Sequence, residues 1–286
     1  MKKVALIACS NGYGHLRRLL LLSRALHKIS LKSVLFAPLA SVERLATTES
    51  VSLPEIVDFD SGTTISNWLN GSATNWYQYL PDLKEYDIVV SDNLIEILLV
   101  RPDAWLSGSF FWHESLEQFP EDLKNQTEEL LRQHQPRMLS SRMFASEKLR
   151  DNTNLYKVGL FSNRKKKPIY HKNKCDFLIS CGRGRVLEKE TKSFLNILSQ
   201  ESSIPFGTVW VEPSIIPDKP PNWMKEATFN SQMYENVIAA VIRPGIGTVT
   251  NALAAGARIF SFYEPGNKEM RENGIRIEKY NYGINS

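Results

Sequence analysis

Short apolar segments alternate with longer amphipathic segments along most of the chain. Apolar runs of the length of buried strands occupy residues 4–9, 33–37, 55–59, 87–91, a stretch near 105–112, 176–181, 207–211, 239–243 and 258–263. Apolar residues recur at helical spacing over residues 15–29, 186–200, 247–255 and 268–280. Continuously apolar strands that alternate with helices predict an α/β fold with parallel sheets covered on both faces.

One segment interrupts this alternation. Residues 161–174 are polar and strongly basic, contain a proline, and show little apolar periodicity. We interpret them as a linker between two α/β domains, residues 1–160 and 175–286. The basic charge fits a solvated tether, and it also fits attraction to an anionic membrane surface or to a phosphorylated substrate.

Composition limits the class of protein. The chain has 286 residues, which suits about two domains, and a net charge of +4, which is too small to indicate a nucleic-acid partner. Its three cysteines, Cys9, Cys175 and Cys181, lack metal-binding spacing and are typical of a reduced, cytoplasmic protein. The apolar start is too short for a signal peptide, and no run approaches the ~20 residues of a membrane span. Peripheral contact with the inner face of a membrane stays open, as does the oligomeric state.

Glycine pairs stand at three strand-to-helix junctions, ACSNGYGH (8–15), SCGRGR (180–185) and IRPGIGTVTN (242–251). Glycine allows a sharp turn and a close approach of the backbone to a ligand. The helix that follows favours an anion at its first turn. Parallel sheets bind ligands at the carboxyl ends of their strands, so the three loops predict a cleft that holds a phosphorylated ligand.

Other nucleotide and hydrolase motifs are absent. The segment GYGHLR has Arg17 where the dinucleotide fingerprint requires its third glycine, and no acidic residue ends the second strand. The P-loop and the G-x-S-x-G elbow do not occur. Asp58 and Asp60 have the spacing of a metal–nucleotide site, but the Ser61-Gly62 that follows favours a turn. We therefore expect no metal.

His15 has two interpretations. It opens a helix whose predicted buried stripe is Leu16, Leu19, Leu20, Leu26 and Ile29, and whose predicted water-facing side is Arg17, Arg18, Arg24 and Lys28. The helix dipole disfavours a charged imidazole at the first turn, which suits a general base. A histidine there could equally pack under the loop or cap the helix.

Asp92 follows a strand that should end at the same sheet edge. Its carboxylate could orient the His15 imidazole, or it could cap the helix predicted after it. Aromatic residues also concentrate in or beside loops: Trp76, Tyr77, Tyr79, Phe110, Phe111, Trp112 and, next to them, His113. They could stack on an acceptor, but core packing is the favoured interpretation.

The segment 239–283 resembles the donor-binding region of GT-B glycosyltransferases. The pattern is most similar to that of glycosyltransferase family 28, which includes the peptidoglycan lipid-intermediate N-acetylglucosaminyltransferase, and to that of family 1. The matching positions are Arg243, Gly245, Gly247, Thr248, Gly256, Glu269 and Asn273. The loop SNGYGHLRR (10–18) resembles the N-terminal G-x-G-H loop of the same enzymes, and the order of motifs agrees over nearly the whole chain.

The resemblance implies a GT-B fold and an inverting, metal-independent, hexosyltransferase-type enzyme with no cofactor. By this resemblance, a UDP-linked nucleotide-sugar would bind the C-terminal domain, and the N-terminal domain would take a sugar, lipid-linked or small-molecule acceptor. His15 matches the base and Asp92 the residue that orients it. The expected donor contacts are Gly12, Gly14, Gly182, Arg243, Gly245, Gly247, Thr248, Asn251, Glu269 and Asn273.

Two features of the sequence depart from the family pattern and leave other functions open. Asn251 stands where the family usually has a glutamate that holds the ribose, and the sequence ends soon after the donor segment. We therefore expect a second domain that is short at its C-terminus. The alternatives to transfer are a UDP-sugar hydrolase of the kind found in nonulosonic acid synthesis and a non-catalytic nucleotide-sugar binding protein.

Overall fold

The computed structural model describes residues 2–11, 13–49, 52–70, 75–116, 118–162, 175–182, 187–205 and 207–285. The predicted donor contact Gly12, residues 163–174 of the predicted linker, and residues 183–186 of the second glycine loop lie outside the described residues. The chain divides into two compact units, Met1–Phe161 and Ser162–Ser286.

The first unit is built on a seven-stranded parallel sheet with the order β3-β2-β1-β4-β5-β6-β7. Its strands are β1 (Lys3–Ile7), β2 (Lys32–Ala37), β3 (Glu55–Asp58), β4 (Ile88–Asp92), β5 (Trp105–Ser107), β6 (Arg137–Ser141) and β7 (Asn154–Val158). Its α-helices are α1 (Tyr13–Lys28), α2 (Leu39–Glu49), α3 (Ile65–Leu69), α4 (Trp112–Ser115), α5 (Glu121–His134) and α6 (Glu147–Asn152).

The sheet of this unit is buried on both faces. Along β1, Ala5 and Ile7 belong to one apolar cluster, whereas Val4 and Leu6 belong to the cluster on the opposite face, which includes α1. This explains why the strand is apolar at every position rather than at alternate ones. The order of the strands reverses at β1, between β2 and β4, and this reversal brings the start of α1 beside the carboxyl end of β4.

The second unit has a six-stranded parallel sheet with the order β10-β9-β8-β11-β12-β13. Its strands are β8 (Asp176–Ser180), β9 (Val209–Val211), β10 (Met224–Glu226), β11 (Val237–Ile242), β12 (Arg258–Ser261) and β13 (Gly283–Asn285). Its helices are α7 (Glu188–Leu198), α8 (Ser231–Asn236), α9 (Ile246–Ala254) and α10 (Lys268–Lys279). The corresponding reversal lies at β8, so the loops after β8 and β11 meet there.

The predicted fold class is confirmed, because both units are parallel α/β sheets. Single elements differ. The apolar stretch near 105–112 is a strand only over Trp105–Ser107, and α4 begins at Trp112. Strands β6, β7, β10 and β13 were not predicted from the apolar pattern, since they are short and carry polar or half-exposed residues.

The predicted faces of α1 are partly wrong. Arg17 and Arg18 are buried, at 7% and 9% exposure, although the helical pattern directs them to water. Arg17 donates from Nη1 to the carbonyl of Phe161, at 2.9 Å. Ile29, predicted to be buried, lies beyond the helix end and is 67% exposed.

Candidate functional site

His15 and Asp92 are in direct contact in the first unit. His15 lies in the first turn of α1, and Asp92 is the last residue of the neighbouring strand β4. The Nδ1 atom of His15 lies 2.7 Å from Oδ1 of Asp92. Asp92 does not cap a helix, because the 3₁₀ turn that follows begins at Ile95 with Leu94 at its N-cap and no side-chain cap. Of its two predicted roles, the structure therefore retains contact with the imidazole.

Arg18 completes this cluster, and it was not predicted from the sequence. Its Nε donates to Oδ2 of Asp92 at 2.6 Å, and its Nη2 donates to Oδ1 at 2.9 Å. Asp92 has no exposed surface, and the side chains of His15 and Arg18 are only 11% and 10% exposed. The available signal was spacing, because residues three apart on a helix share a face, so Arg18 lies on the side of α1 that carries His15.

The ionisation of Asp92 follows from these contacts. Burial alone raises the pKa of this carboxyl, but the Arg18 guanidinium and the His15 hydrogen bond outweigh burial and hold the pKa below its usual range. Asp92 is thus a carboxylate, which only accepts hydrogen bonds. The His15 Nδ1 at 2.7 Å must then carry the proton, which leaves Nε2 unprotonated in the neutral ring.

The predicted aromatic group is mostly core. Trp76, Phe111 and Trp112 are buried, and Tyr79 is 80% exposed. Trp112 lies beside the histidine, with ring centroids 5.5 Å apart, and it packs on Trp68 at 4.8 Å. Burial lowers the pKa of His113, a neighbouring imidazole, to about 4, so it is neutral at physiological pH. Packing was the favoured interpretation, and it describes most of this group.

The loop after β1 is held by hydroxyl and carboxylate groups. The Ser10 hydroxyl donates to Asp60 and lies 2.9 Å from Oγ of Ser61. Asp60 also accepts from the backbone of Gly62, and Asp58 accepts from the backbone of Leu39 at 2.9 Å. The two carboxylates therefore make turn contacts, which was the favoured interpretation of their spacing.

In the second unit, the glycine-rich loop after β11 leads directly into α9. Gly245 is the N-cap residue, and Gly247 and Thr248 lie in the first helical turn. A Cβ added to Gly245 or Gly247 would meet no atom of the described residues within 4 Å. The fold itself therefore does not require glycine at these two positions, whereas a ligand that approaches the helix N-terminus closely would. Asn251 lies one turn further along the same face, half-buried.

Arg243 is already engaged by a carboxylate. It donates from Nε and Nη2 to the two oxygens of Glu264, at 2.9 and 2.6 Å. Hydrogen bonding from Arg243 lowers the pKa of Glu264 to about 2. Glu264 also accepts from Asn267, which caps α10 through the backbone N–H of Met270. The predicted donor contact Arg243 thus joins the loops after β11 and β12, and two of its guanidinium donors are used by Glu264.

Gly182 lies in the left-handed region with φ of 68°, where glycine is favoured. Its backbone N–H donates to Oε2 of Glu212 at 2.9 Å, and the Ser180 hydroxyl donates to the same oxygen at 2.8 Å. Burial, and then the Glu212 charge, raise the pKa of the Cys181 thiol to about 12. This thiol stays protonated and is not a nucleophile.

Asn273 and Glu269 have different environments. Asn273 is 2% exposed, and its amide donates to the carbonyl of Pro244 at 3.0 Å. It therefore supports the loop that contains Gly245. Glu269 lies half-buried in the first turn of α10. Gly14 lies in the first turn of α1, exposed, and a Cβ there would meet no atom within 4 Å.

Hydrogen bonds join four neighbouring strand ends of the second sheet in two pairs. Glu212 joins the ends of β9 and β8, and Glu264 joins the ends of β11 and β12 through Arg243. The carboxylates Glu212 and Glu264 were missed in the sequence. Glu212 directly follows the predicted strand 207–211, and Glu264 directly follows the predicted strand 258–263. This position was the only feature of the sequence that pointed to either carboxylate.

Two features of other protein classes are absent from the described residues. Within those ranges, no group of three His, Cys, Asp or Glu side chains is arranged to hold a metal ion. No helix in the same part of the chain is long and apolar enough to cross a membrane.

Comparison with known proteins gives structural matches only. No protein-family model matches the sequence, and no curated protein matches it. LpCGTa, solved in complex with UDP, has a TM-score of 0.67 and 16% identity, over 99% of this chain and 84% of that one. UDP-glucose: anthocyanidin 3-O-glucosyltransferase, also in complex with UDP, has a TM-score of 0.66 and 12% identity, over 99% of this chain and 85% of that one. The calicheamicin glycosyltransferase CalG4 has a TM-score of 0.64 and 15% identity, over 99% of this chain and 85% of that one.

These matches cover nearly the whole chain and include both parallel-sheet units. The chain therefore has the GT-B fold, and the predicted fold resemblance is confirmed.

The buried cluster around Asp92 yields a stability prediction. Asp92→Asn keeps the side-chain volume but leaves the Arg18 guanidinium buried without a counter-charge, so we expect a loss of about 3–5 kcal/mol in the free energy of unfolding. Because the folded-state pKa of Asp92 is depressed, the wild-type advantage is complete above the unfolded pKa of about 3.9 and is lost as the pH falls further. Urea denaturation at pH 7 and pH 3 measures both effects.

The matched control is Glu129→Gln, which removes an exposed ion pair with Arg132. It should change the free energy of unfolding by less than about 1 kcal/mol. An Asp92→Asn variant as stable as this control at pH 7 would show that the buried contact does not stabilise the unit.

Proposed function

We propose that this protein transfers a sugar from a UDP-linked nucleotide-sugar to an acceptor hydroxyl, with inversion at the anomeric carbon. The observation that carries this proposal is the 2.7 Å contact between His15 and a buried, ionised Asp92 at the carboxyl edge of the first sheet. A neutral imidazole with a free Nε2 is a group that can accept a proton from a hydroxyl. The GT-B fold supports this reaction class.

In the proposed reaction, Nε2 of His15 takes the proton of the acceptor hydroxyl while that oxygen attacks the anomeric carbon. The bond from this carbon to the diphosphate oxygen breaks, and the nucleoside diphosphate leaves with the electron pair. Asp92 accepts the Nδ1–H bond throughout and keeps the ring oriented. Displacement in a single step inverts the configuration. We include no cofactor and no metal in this proposal.

The donor side of the proposal rests on α9. The helix dipole and the first-turn N–H groups offset the negative charge that grows on the leaving diphosphate. Gly245 and Gly247 leave room for the phosphates, and Thr248 and Asn251 lie on the face beyond them. Arg243 contributes positive charge to this loop, but its pairing with Glu264 gives it mainly a role in shaping the site.

The two structural neighbours solved with UDP support a UDP-linked donor. One of them acts on an anthocyanidin, which supports a small-molecule acceptor with a free hydroxyl. A thermal-shift series with UDP-, GDP-, CMP- and dTDP-sugars identifies the nucleotide, since a ligand that binds only the folded state raises the unfolding temperature.

For the base, His15→Ala should lower kcat for transfer from UDP-glucose by about 10²–10⁴-fold, because the proton acceptor is removed. Affinity for UDP should stay within about twofold, since His15 is not in the proposed diphosphate site. Released UDP and glycosylated acceptor measure turnover, and calorimetry measures affinity. His27→Ala is the control on the same helix, where His27 is exposed. A His15→Ala variant with normal turnover would remove His15 from the mechanism.

For the donor site, Gly247→Ala separates folding from binding. The added methyl group meets no atom of the described residues within 4 Å, and alanine favours a helix over glycine by about 1 kcal/mol, so the free energy of unfolding should be unchanged or higher. We expect the dissociation constant for UDP to rise at least about tenfold, because the methyl group takes the room proposed for the phosphates.

Gly14→Ala is the matched comparison, at a first-turn glycine of α1 where an added Cβ also meets no described atom within 4 Å. Gly14 was also predicted to contact the donor, but the proposal places the diphosphate at α9, so Gly14→Ala should leave UDP affinity unchanged. If calorimetry finds the reverse order, with Gly14→Ala the weaker binder, the diphosphate is bound by the first unit instead.

A further inference from the structure

Arg18 occupies an unusual position for a charged side chain. It is 9% exposed, lies one turn after His15 on α1, and directs two donors of its guanidinium, Nε and Nη2, at one carboxylate. Asp92 receives three hydrogen bonds, two from Arg18 and one from His15, and all three come from the same helix. A carboxylate with no exposed surface requires compensation of this kind to stay charged.

The contribution of His15 alone would be insufficient. A neutral imidazole donates a single hydrogen bond and no charge, so a buried Asp92 without Arg18 would favour its protonated form. A carboxylic acid can donate a hydrogen bond as well as accept one, and it would then no longer require a proton on Nδ1 of His15. The tautomer of the base would cease to be fixed.

The geometry of the guanidinium also fixes the direction of Asp92. The Nε and Nη2 donors form a rigid fork that holds Oδ2 and Oδ1 at 2.6 and 2.9 Å. With Oδ2 held in this way, Oδ1 is turned toward Nδ1 of His15. A lysine at this position would supply a charge but would not hold both oxygens.

We propose that Arg18 is a positioning residue that keeps the Asp92 carboxylate ionised and in one orientation, and thereby holds His15 in the tautomer with a free Nε2. The pair of Asp92 and Arg18 is neutral as a unit, so Asp92 acts on His15 chiefly through orientation rather than through net charge. The effect on catalysis rests on the function proposed above, whereas the effect on the tautomer does not.

The test is nitrogen NMR of protein labelled with ¹⁵N in its histidines, without ligand, at a pH well above the ordinary histidine pKa of about 6.5. His15→Gln assigns the signals. In the wild type, we expect the His15 ring to carry its proton on Nδ1. Arg18→Met should produce a mixture of tautomers. Arg17→Met is the matched control, since this neighbouring buried arginine bonds to the Phe161 carbonyl, and it should leave the His15 tautomer unchanged.

Arg18→Gln covers the case in which Arg18→Met does not fold. It keeps a polar side chain but removes the positive charge, so Asp92 should favour its protonated form and the proposal again expects mixed tautomers. A folded Arg18→Met or Arg18→Gln variant with the wild-type tautomer would overturn the proposal.

Turnover provides a separate readout. With UDP-glucose as donor, Arg18→Met should lower kcat by about 10–100-fold with little change in KM, as expected when a group that orients another residue is lost. Added guanidinium should restore part of the kcat of Arg18→Ala. Unchanged kcat in Arg18→Met would contradict the catalytic effect. If the tautomer responds as described while the wild type transfers no sugar, the proposed function fails and the positioning role of Arg18 stands.

Discussion

The contact of Asp92 with Arg18 and His15 is the interaction on which the first unit's site depends. It joins the first helix to the central strand β4 at the point where the strand order reverses. A buried carboxylate tolerates this position only because two donors of α1 surround it. The same contacts that offset the cost of burial also determine which nitrogen of His15 carries the proton. In this unit, stability and the chemistry of the histidine therefore have a common physical origin.

The second unit uses carboxylates for a different purpose. Glu212 holds the backbone of Gly182, and Glu264 holds Arg243, so the loops at four neighbouring strand ends are linked. At the start of α9, a Cβ added to Gly245 or Gly247 would meet no atom of the described residues within 4 Å. The His15–Asp92 contact in the first unit and the glycine-rich start of α9 in the second support the proposed assignment of proton transfer to the first unit and of the diphosphate to the second.

The sequence predicted the fold class well, because strands buried on both faces are recognisable as uniform apolar runs. The rule that parallel strands end at one edge also placed His15 and Asp92 near each other. Arg18 was assigned to water, since a helical pattern cannot reveal a counter-charge 74 residues away. Glu264 was missed for the same reason, and the hydrogen bond from the Asn273 amide to the Pro244 carbonyl was not predicted either. A local sequence pattern does not reveal which charged residues become buried, because their partners lie far away along the chain.

The most direct test of the account is product analysis after incubation with UDP-glucose and a panel of hydroxylated acceptors, by mass spectrometry and NMR. Since the donor carries an α-linked sugar, the account predicts a β-linked glucoside of an acceptor together with an equal amount of UDP. Free glucose and UDP without any glycosylated acceptor would contradict transfer and indicate hydrolysis. An α-linked product would contradict the single displacement that His15 is proposed to assist.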